Sequence, residues 1–412
     1  MRFHRPLWLN KLQSMGGPVL GLAIASVGIG SWISQAQTSS PSSPPLRSTA
    51  RVTTSVIRTF EGLNGANPLA GLVQGKDGNY YGTTSRGGRN NLGIVFRFNP
   101  VGNLATLDTF TGPNGANPQA ELIQASDGRF YGTTSRGGSR NLGTIFRIPI
   151  NGRVFTLVNF NRTNGAIPLG GLVQGTNGRF FGTTSQGGTS NLGIVFSLTN
   201  AGVLLPTLVN FNGNNGATPQ AGLIQGTDGR FYGTTSVGGR GNLGTAFRVT
   251  TAGTFNSFAF GSGNVLPPAV PPPSISVSEL VQSTDGNFYG TSSRGGLNNL
   301  GTIFRMTSAG TISVLYSFNG RGANGANPQA PLTVDSSGNL YGTTFQGGRF
   351  NRGTVFVFNP STRNFNTLHT FNGSNGAFPR GALVQANSGT FYGTTSAGGR
   401  NNLGVIFRMV VP

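Results

Sequence analysis

The chain contains no cysteine, and only 9% of its 412 residues are charged. Without cysteine it has no disulfide, no thiolate metal ligand and no thiol nucleophile. Acids and histidines are also scarce, with nine Asp and Glu and two His in the whole sequence. A hydrolase or lyase needs a nucleophile with a base, paired carboxylates or a metal cluster. We therefore expect no catalytic residue, no metal and no cofactor.

Positive charge is the exception to this scarcity. After residue 36 the sequence has 25 Arg and one Lys, Lys76, against nine acids, which gives a formal charge of +17. Arginine offers planar, bidentate contacts to carboxylate, sulfate or phosphate, whereas lysine is a point charge. The excess therefore favours an anionic partner, with solubility of the exported chain as the alternative explanation.

The first 36 residues resemble a secretory signal peptide. Arg2, Arg5 and Lys11 precede the apolar run Gly16–Ile33, and Ser34-Gln35-Ala36 provides small residues for cleavage. An uncleaved membrane anchor is the alternative. Residues 37–52 are rich in Ser and Pro and are predicted to form a linker. We expect an exported protein, periplasmic, cell-surface or secreted, with no membrane span once the signal is removed.

The remaining chain, residues 53–412, is a tandem repeat. An aromatic residue followed by Gly-Thr recurs at intervals of 50 to 57 residues, and a phenylalanine always follows it fifteen residues later. A period of this length is typical of propellers and solenoids. The repeated aromatic residues are Tyr81, Tyr131, Phe181, Tyr232, Tyr289, Tyr341 and Tyr392.

Each copy contains four short apolar runs, here called A to D, separated by turn residues. In the third copy these are residues 171–174, 179–185, 193–198 and 204–211, with Thr-Asn-Gly between the first two. Four antiparallel strands in about 50 residues predict one blade, and seven copies predict an all-β, seven-bladed β-propeller. The chain begins with a D-type run and ends on a C-type run, so we expect the N-terminal strand to close the ring on the C-terminal blade. An open β-solenoid is the alternative.

The repeat also resembles a known family. The pattern D-G-x-[FY]-Y-G-T-[TS]-S-x-G-G-x-x-x-L-G-x-x-F, with a following T-L-x-x-F-[NT]-G-x-N-G-A-x-P segment, is similar to the GloVer repeat of choice-of-anchor tandem repeat proteins, from Val56 to Arg408. The resemblance implies an exported bacterial protein with a propeller-like repeat and brings no catalytic residue with it. Such proteins carry variable sorting tails, and the ending Val410-Val411-Pro412 lacks an apolar tail.

The turns between strands predict two unequal faces. The A–B and C–D turns are short, whereas the B–C and D–A loops are long, rich in Gly, Asn and Arg, and belong to one face, which we call the long-loop face. We expect this face to bind an anionic polymer such as an acidic polysaccharide of the cell envelope, with a purely structural surface protein as the alternative. The candidate ligand-binding residues are Arg86, Arg89, Arg136, Arg140, Arg240, Arg294, Arg349, Arg352 and Arg400, and Arg162, Arg321 and Arg380 belong to the same loops.

Two other patterns bear on binding, the glutamines of strand A and the Arg-Gly-Gly segments. Glutamines recur on strand A, where they either line the central channel or satisfy neighbouring backbone groups; they are Gln74, Gln124, Gln174, Gln225, Gln282 and Gln385. An enzyme acting at that channel is an alternative function. Arg-Gly-Gly occurs in only three of the seven copies, at Arg86, Arg136 and Arg294, so nucleic acid is not the expected partner. We expect a monomer, and a tolerated loop insertion at residues 261–278.

Overall fold

The structure, a computed structural model, describes residues 51–261, 265–266, 272–274, 278–322, 324–387 and 389–412. The predicted signal peptide and residues 37–50 of the predicted linker lie outside these ranges, as does most of the insertion in the fifth copy. Within the described part there is no α-helix, and the strands form seven antiparallel sheets of the predicted A-B-C-D order. The protein is a seven-bladed β-propeller.

Strand A is the short inner strand of each blade. Six of the seven copies have only two residues in this strand, fewer than the apolar runs of four in the sequence suggested. From blade 1 to blade 7 the A strands are β2 (Val73–Gln74), β6 (Ile123–Gln124), β10 (Val173–Gln174), β14 (Ile224–Gln225), β19 (Val281–Gln282), β24 (Thr333–Val334) and β29 (Val384–Asn387).

Strand B contains the repeated Tyr-Gly-Thr-Thr and is buried along its whole length in every blade. This burial on both faces agrees with its continuous apolar and Thr-rich sequence, since a middle strand packs against both neighbouring blades. The B strands are β3 (Tyr80–Thr84), β7 (Phe130–Thr134), β11 (Phe180–Thr184), β15 (Phe231–Thr235), β20 (Phe288–Ser292), β25 (Leu340–Thr344) and β30 (Thr390–Thr395).

Strand C pairs with strand B and carries the invariant phenylalanine. In blade 1, Phe96 lies opposite Gly82, and a Cβ atom on that glycine would come within 2.7 Å of the ring. The Gly of Tyr-Gly-Thr is therefore required by close approach of the Phe ring. The C strands are β4 (Ile94–Phe98), β8 (Thr144–Ile148), β12 (Ile194–Leu198), β16 (Thr245–Val249), β21 (Thr302–Met306), β27 (Thr354–Phe358) and β31 (Val405–Val410).

Strand D is the outer strand, and its length varies. In blade 3 it shrinks to β13 (Val209–Asn210), shorter than the predicted run 204–211, because Pro206 has no N–H to donate to the sheet. The others are β5 (Leu104–Thr109), β9 (Phe155–Asn159), β17 (Phe255–Ala259), β22 (Ile312–Ser317), β28 (Phe365–Thr370) and, in blade 7, β1 (Thr53–Thr59).

Strand β1 closes the ring as predicted. It pairs antiparallel with β31 from Thr53 opposite Val410 to Thr59 opposite Val405, and so supplies the D strand of the last blade. Three short elements lie outside the blade pattern: β18 (Val265–Leu266), which runs parallel to β22, the two-stranded pair β23 (Gly325–Ala326) and β26 (Gln346–Gly347), and a 3-10 turn at Arg240–Asn242.

Aromatic rings join the blades to one another. A Phe after each D strand meets the strand C Phe of the next blade edge to face, with centroids 5.2 to 5.5 Å apart at all seven interfaces. A second set joins neighbouring B strands, as between Tyr81 and Phe130 at 4.0 Å, and is interrupted where Leu340 faces Tyr289. The core is therefore a chain of interblade clusters, and the two repeated aromatic positions serve packing.

Candidate functional site: the long-loop face and its axial cavity

The B–C and D–A loops lie on one face, as predicted. In blade 1, Ala66 of the D–A loop and Arg86 of the B–C loop form an antiparallel bridge, and the equivalent bridge recurs in the other blades. Each B–C loop turns through two glycines with positive φ, such as Gly87 at 81° and Gly88 at 74°. The glycines of Arg-Gly-Gly are thus a backbone requirement, and the preceding residue is free to vary and to point charge into solvent.

All twelve arginines assigned to this face from the sequence lie on its loops, and eleven are exposed; Arg380 is half-buried. Among the described residues, the two ion pairs are both on the opposite, short-turn face: Arg129 with Asp127 at 3.0 Å and Arg230 with Asp228 at 2.8 Å. The arginines of the long-loop face therefore have no carboxylate partner within the described part of the chain, and their role as ligand-binding residues stays a prediction.

The acids of the short-turn face are held by a repeated structural motif. The Tyr81 hydroxyl donates to Asp77 at 2.8 Å, and Tyr131, Tyr232 and Tyr289 repeat the bond in their blades. Burial raises the pKa of Asp77, but hydrogen bonds from Asn79 and Tyr81 outweigh it and hold the pKa below its ordinary value. In the third copy both members of this Asp–Tyr pair are replaced, with Asn177 in the place of the aspartate and Phe181 in the place of the tyrosine. These acids serve the fold of the turn.

Four of the six repeated glutamines of strand A join neighbouring blades at this same face, whereas Gln74 is exposed and Gln385 is half-buried. The Gln124 carbonyl oxygen accepts from the Lys76 N–H at 2.8 Å, and its amide donates to the Gly128 carbonyl at 2.9 Å. Gln174, Gln225 and Gln282 make the equivalent pairs of bonds. Their amides thus satisfy neighbouring backbone groups, which is one of the two roles that the sequence left open. The binding of a ligand by these glutamines is a prediction that the structure does not test.

On the long-loop face the D–A loops converge on the propeller axis around a cavity of about 180 Å³, here called the axial cavity. Two positions of the repeat line it, one on either side of a small residue just before strand A. The outer position contributes Leu69, Gln119, Leu169, Gln220, Gln329 and Arg380, and the inner position contributes Gly71, Glu121, Gly171, Gly222, Glu279 and Pro331.

Two glutamates stand at the inner position, where the other described copies have small residues or proline. Glu121 Oε1 accepts from the backbone N–H of Gly71 at 3.1 Å and of Ala382 at 3.2 Å, so it spans the closing point of the ring. Burial raises the pKa of Glu121, and these hydrogen bonds oppose the rise. Burial raises the pKa of Glu279 to about 8, with a further contribution from the charge of Glu121. At neutral pH the Glu279 carboxyl therefore keeps its proton and is available as a hydrogen-bond donor.

A second cavity of about 750 Å³, here called the rim cavity, adjoins the axial cavity through shared wall residues Leu69, Gln119 and Arg380. Its walls also include Arg86, Arg136 and Phe345. A continuous concave surface thus runs from exposed arginines at the rim to carboxyl groups at the axis.

The one histidine in the described residues belongs to the outer strand of blade 6. His369 lies on β28, its Nε2 is 3.0 Å from the Asn375 amide, and burial lowers its pKa. Within the ranges that the structure describes, no group of three or more His, Asp or Glu side chains is placed to hold a metal ion. In those ranges no helix has the length and apolar character needed to cross a membrane.

Sequence reasoning did not select Glu121 and Glu279 as site residues, and it overlooked Phe345 and Phe378. The signal was available, because all four break the repeat: Glu replaces Gly, Phe345 replaces Ser, and Phe378 replaces Asn, Thr or Ile. Aligning the seven copies on one another and asking which residues differ at otherwise similar positions would have found them.

Comparison with known proteins identifies the repeat. The chain matches the Gloeobacter/Verrucomicrobia repeat over residues 46–247 and 274–411, and it belongs to that family. This agrees with the resemblance drawn from the sequence. The comparison with curated proteins finds no match.

Several solved structures share the fold at low sequence identity. Virginiamycin B lyase from Staphylococcus aureus is 13% identical, with a TM-score of 0.57 over 88% of this chain and 99% of that one. Oligogalacturonate lyase from Vibrio parahaemolyticus is 11% identical, with a TM-score of 0.56 over 89% and 95%. The extracellular domain of the putative one component system BT4673 from B. thetaiotaomicron is 11% identical, with a TM-score of 0.51 over 83% of this chain and 38% of that one. These similarities show the propeller fold alone.

Proposed function

We propose that this protein is an exported, non-catalytic binding module whose long-loop face binds an anionic polymer such as an acidic polysaccharide of the cell envelope. The observation that carries the proposal is that the arginines of the long-loop face all lack a carboxylate partner among the described residues, whereas two arginines of the short-turn face are paired. On the short-turn face Arg129 and Arg230 are neutralised by aspartates two residues away. On the long-loop face eleven exposed arginines have no carboxylate partner among the described residues.

The physical basis is summation over many weak contacts. An exposed ion pair contributes about 0.2 to 1 kcal/mol, so a single arginine would hold a ligand poorly. A polymer with regularly spaced charges engages several arginines at once, and the field of a one-sided basic face raises its local concentration. A seven-fold repeat of loops presents charge at regular intervals around the ring, which suits an extended polyanion better than a small anion.

Binding to a panel of immobilised acidic polysaccharides at low salt tests the proposal. We expect the full chain to bind, and Arg86, Arg89, Arg136 and Arg140→Ala together to weaken binding at least about fourfold, since four contacts are worth roughly 0.8 to 4 kcal/mol. The matched control removes the same charge from the short-turn face, with Arg129, Arg153, Arg179 and Arg230→Ala, and should change affinity less than about twofold. Equal weakening by both variants would show that the affinity depends on net charge and not on the long-loop face. No binding to any polymer would refute the proposal and would favour a structural surface protein.

A second candidate, an enzyme acting at the axial cavity, is favoured by the presence of Glu121 and Glu279 in the lining of that cavity. A carboxyl that keeps its proton, in the same cavity as one that binds backbone N–H groups, suits general acid and base chemistry. Two proteins of similar fold are named lyases, but identities of 11% and 13% do not transfer activity. Incubation with the polysaccharides that bind, followed by chromatography for shortened chains, tests this candidate. Cleavage that is lost in Glu279→Gln would support it over the non-catalytic module.

A further inference from the structure

Three residues that break the repeat lie together beside the two cavities: Arg380 lines both cavities, Phe345 lines the rim cavity, and Phe378 packs against Phe345. Phe345 directly follows strand β25, where the other six copies have serine; Phe378 and Arg380 lie on the D–A loop of blade 7, where asparagine and glutamine are the commonest residues. The two segments come from neighbouring blades and meet only in the folded ring. Three departures from the repeat at one place are not explained by blade packing, because the other blades are built without them.

Arg380 is a half-buried cation without an anion. Its guanidinium lies 4.5 Å from the centroid of the Phe345 ring, and no described residue accepts a hydrogen bond from it or forms an ion pair with it. Burial lowers the pKa of Arg380, and no neighbouring carboxylate offsets this. A guanidinium that lies over an aromatic ring and has no other partner keeps its N–H donors available for a planar carboxylate.

Phe378 is held in a backbone conformation that disfavours it. Its φ is 57°, in the left-handed region that Asn67, Asn117, Ile167, Thr218 and Asn327 also occupy, so the repeat imposes this conformation on the equivalent residue of other copies. For a bulky side chain this conformation costs on the order of 1 to 3 kcal/mol. The Phe378 ring lies 5.0 Å from that of Phe345 at an interplanar angle of 34°, so the strain produces an aromatic pair beside Arg380.

Polar side chains of other blades also line the axial cavity. Gln119, Gln220 and Gln329 line the outer position, and Glu121 and Glu279 the inner one, so amide and carboxyl groups face the cavity from several blades. The volume of about 180 Å³ has room for roughly a dozen water molecules, comparable with one hexose ring and its substituents. A ligand that fits must be small and hydroxylated, and it must carry one anionic group.

We propose that the axial cavity is a subsite for one uronic acid residue, with its carboxylate on Arg380, which the adjoining pair of Phe345 and Phe378 positions, and its hydroxyls toward Gln119 and Glu279. The proposal rests on the proposed function and deepens it, because the rim cavity leads from this subsite past Arg86 and Arg136. The protein would then hold the end of an acidic polysaccharide at its axis and the following residues along its basic rim.

Calorimetric titration of the full chain with D-galacturonate and D-glucuronate tests the subsite, with D-galactose, D-glucose and acetate as ligands that lack the carboxylate or the ring. The variants restore the residues of other copies, so the fold is expected to tolerate them: Arg380→Gln, Phe345→Ser and Phe378→Asn. We expect both uronates to bind at least about tenfold more tightly than the three controls, and Arg380→Gln to weaken uronate binding at least about tenfold. Phe378→Asn should weaken binding and raise the melting temperature, two opposite changes that a merely structural role would not produce together.

The outcomes separate this subsite from the proposed function. Uronates that bind no better than the neutral sugars, or an unchanged affinity in Arg380→Gln, would overturn the subsite. The variant with Arg86, Arg89, Arg136 and Arg140→Ala should weaken polymer binding and leave uronate binding within about twofold, because its residues lie outside the axial cavity. Polymer binding that depends on the rim arginines but not on Arg380 would support the proposed function and refute the subsite. Uronate binding without polymer binding would support the subsite for a free sugar acid and refute the proposed function.

Discussion

Replacing Phe130 with alanine should destabilise the whole ring, because this residue is shared by two blades. Phe130 belongs to β7 of blade 2, is fully buried, and stacks on Tyr81 of blade 1 with centroids 4.0 Å apart and an interplanar angle of 28°. Truncation of a buried Phe to Ala costs about 3 to 5 kcal/mol. For a fold of residues 53–412, an unfolding entropy of about 2.1 cal/mol/K per residue corresponds to roughly 0.75 kcal/mol/K. If the ring unfolds as one unit, we expect a fall in melting temperature of about 4 to 7 °C.

Scanning calorimetry of two alanine variants provides the matched comparison. Phe155 is a phenylalanine of strand β9 that is 57% exposed, with the Arg147 guanidinium 4.9 Å from its ring centroid. Its replacement by alanine loses a surface cation–π contact worth about 0.5 to 1 kcal/mol, so the melting temperature should fall by about 1 °C. Phe130→Leu should lie between the two, since the ring naturally accommodates Leu340 at the equivalent place. Equal effects of Phe130→Ala and Phe155→Ala would refute the view that aromatic stacks hold the blades together.

Three further predictions concern stability. Tyr81→Phe and Asp77→Asn, each destabilising alone in urea unfolding, should together cost less than their sum by about 1 kcal/mol, because the third copy carries that combination; additive costs would argue against a coupled pair. The folded pKa of Glu279, about 8, lies above its unfolded value of about 4.3, so the stability it contributes is complete below pH 4.3 and is lost as pH rises through 8. Glu279→Gln should therefore gain stability relative to wild type between pH 5 and pH 8.5, by a few kcal/mol, and a constant difference across that range would contradict the assignment. A chain that starts at residue 61 lacks β1 and Phe60 and should aggregate during size-exclusion chromatography because the edge of β31 is exposed, whereas a chain that starts at residue 51 should remain monomeric.

Much of the fold was predictable because the chain repeats itself. Seven copies show which residues every blade needs, and the invariant Gly of Tyr-Gly-Thr and the Phe fifteen residues after Tyr are in contact across strands B and C. The permuted order of runs predicted the closure by β1. The lengths of strands A and D were less accessible, since an apolar run does not reveal how many of its residues pair, and Pro206 shortens β13 by removing a donor.

The candidate site was predictable only in part. The separation of charge between two faces follows from loop lengths and arginine positions, and the structure places those arginines as expected. The axial cavity could not be predicted from one repeat, because it forms where residues of different blades meet. Glu121 of blade 2 accepts hydrogen bonds from Gly71 of blade 1 and Ala382 of blade 7. Arg380 of blade 7 lies over the ring of Phe345 of blade 6. Such contacts depend on the number of blades and on ring closure.

The central claim is that unpaired arginines of the long-loop face bind an anionic polymer, and the salt dependence of affinity tests it most directly. The logarithm of the dissociation constant for an acidic polysaccharide, measured against the logarithm of salt concentration, gives a slope that reports the number of charges neutralised. With a coefficient of about 0.7 per contact, as for a single-stranded polyanion, loss of Arg86, Arg89, Arg136 and Arg140 should reduce that slope by roughly 3. The short-turn variant with Arg129, Arg153, Arg179 and Arg230→Ala should keep the slope of the wild type. A slope that is equal in all three proteins, or that falls as much in the short-turn variant, would contradict the account.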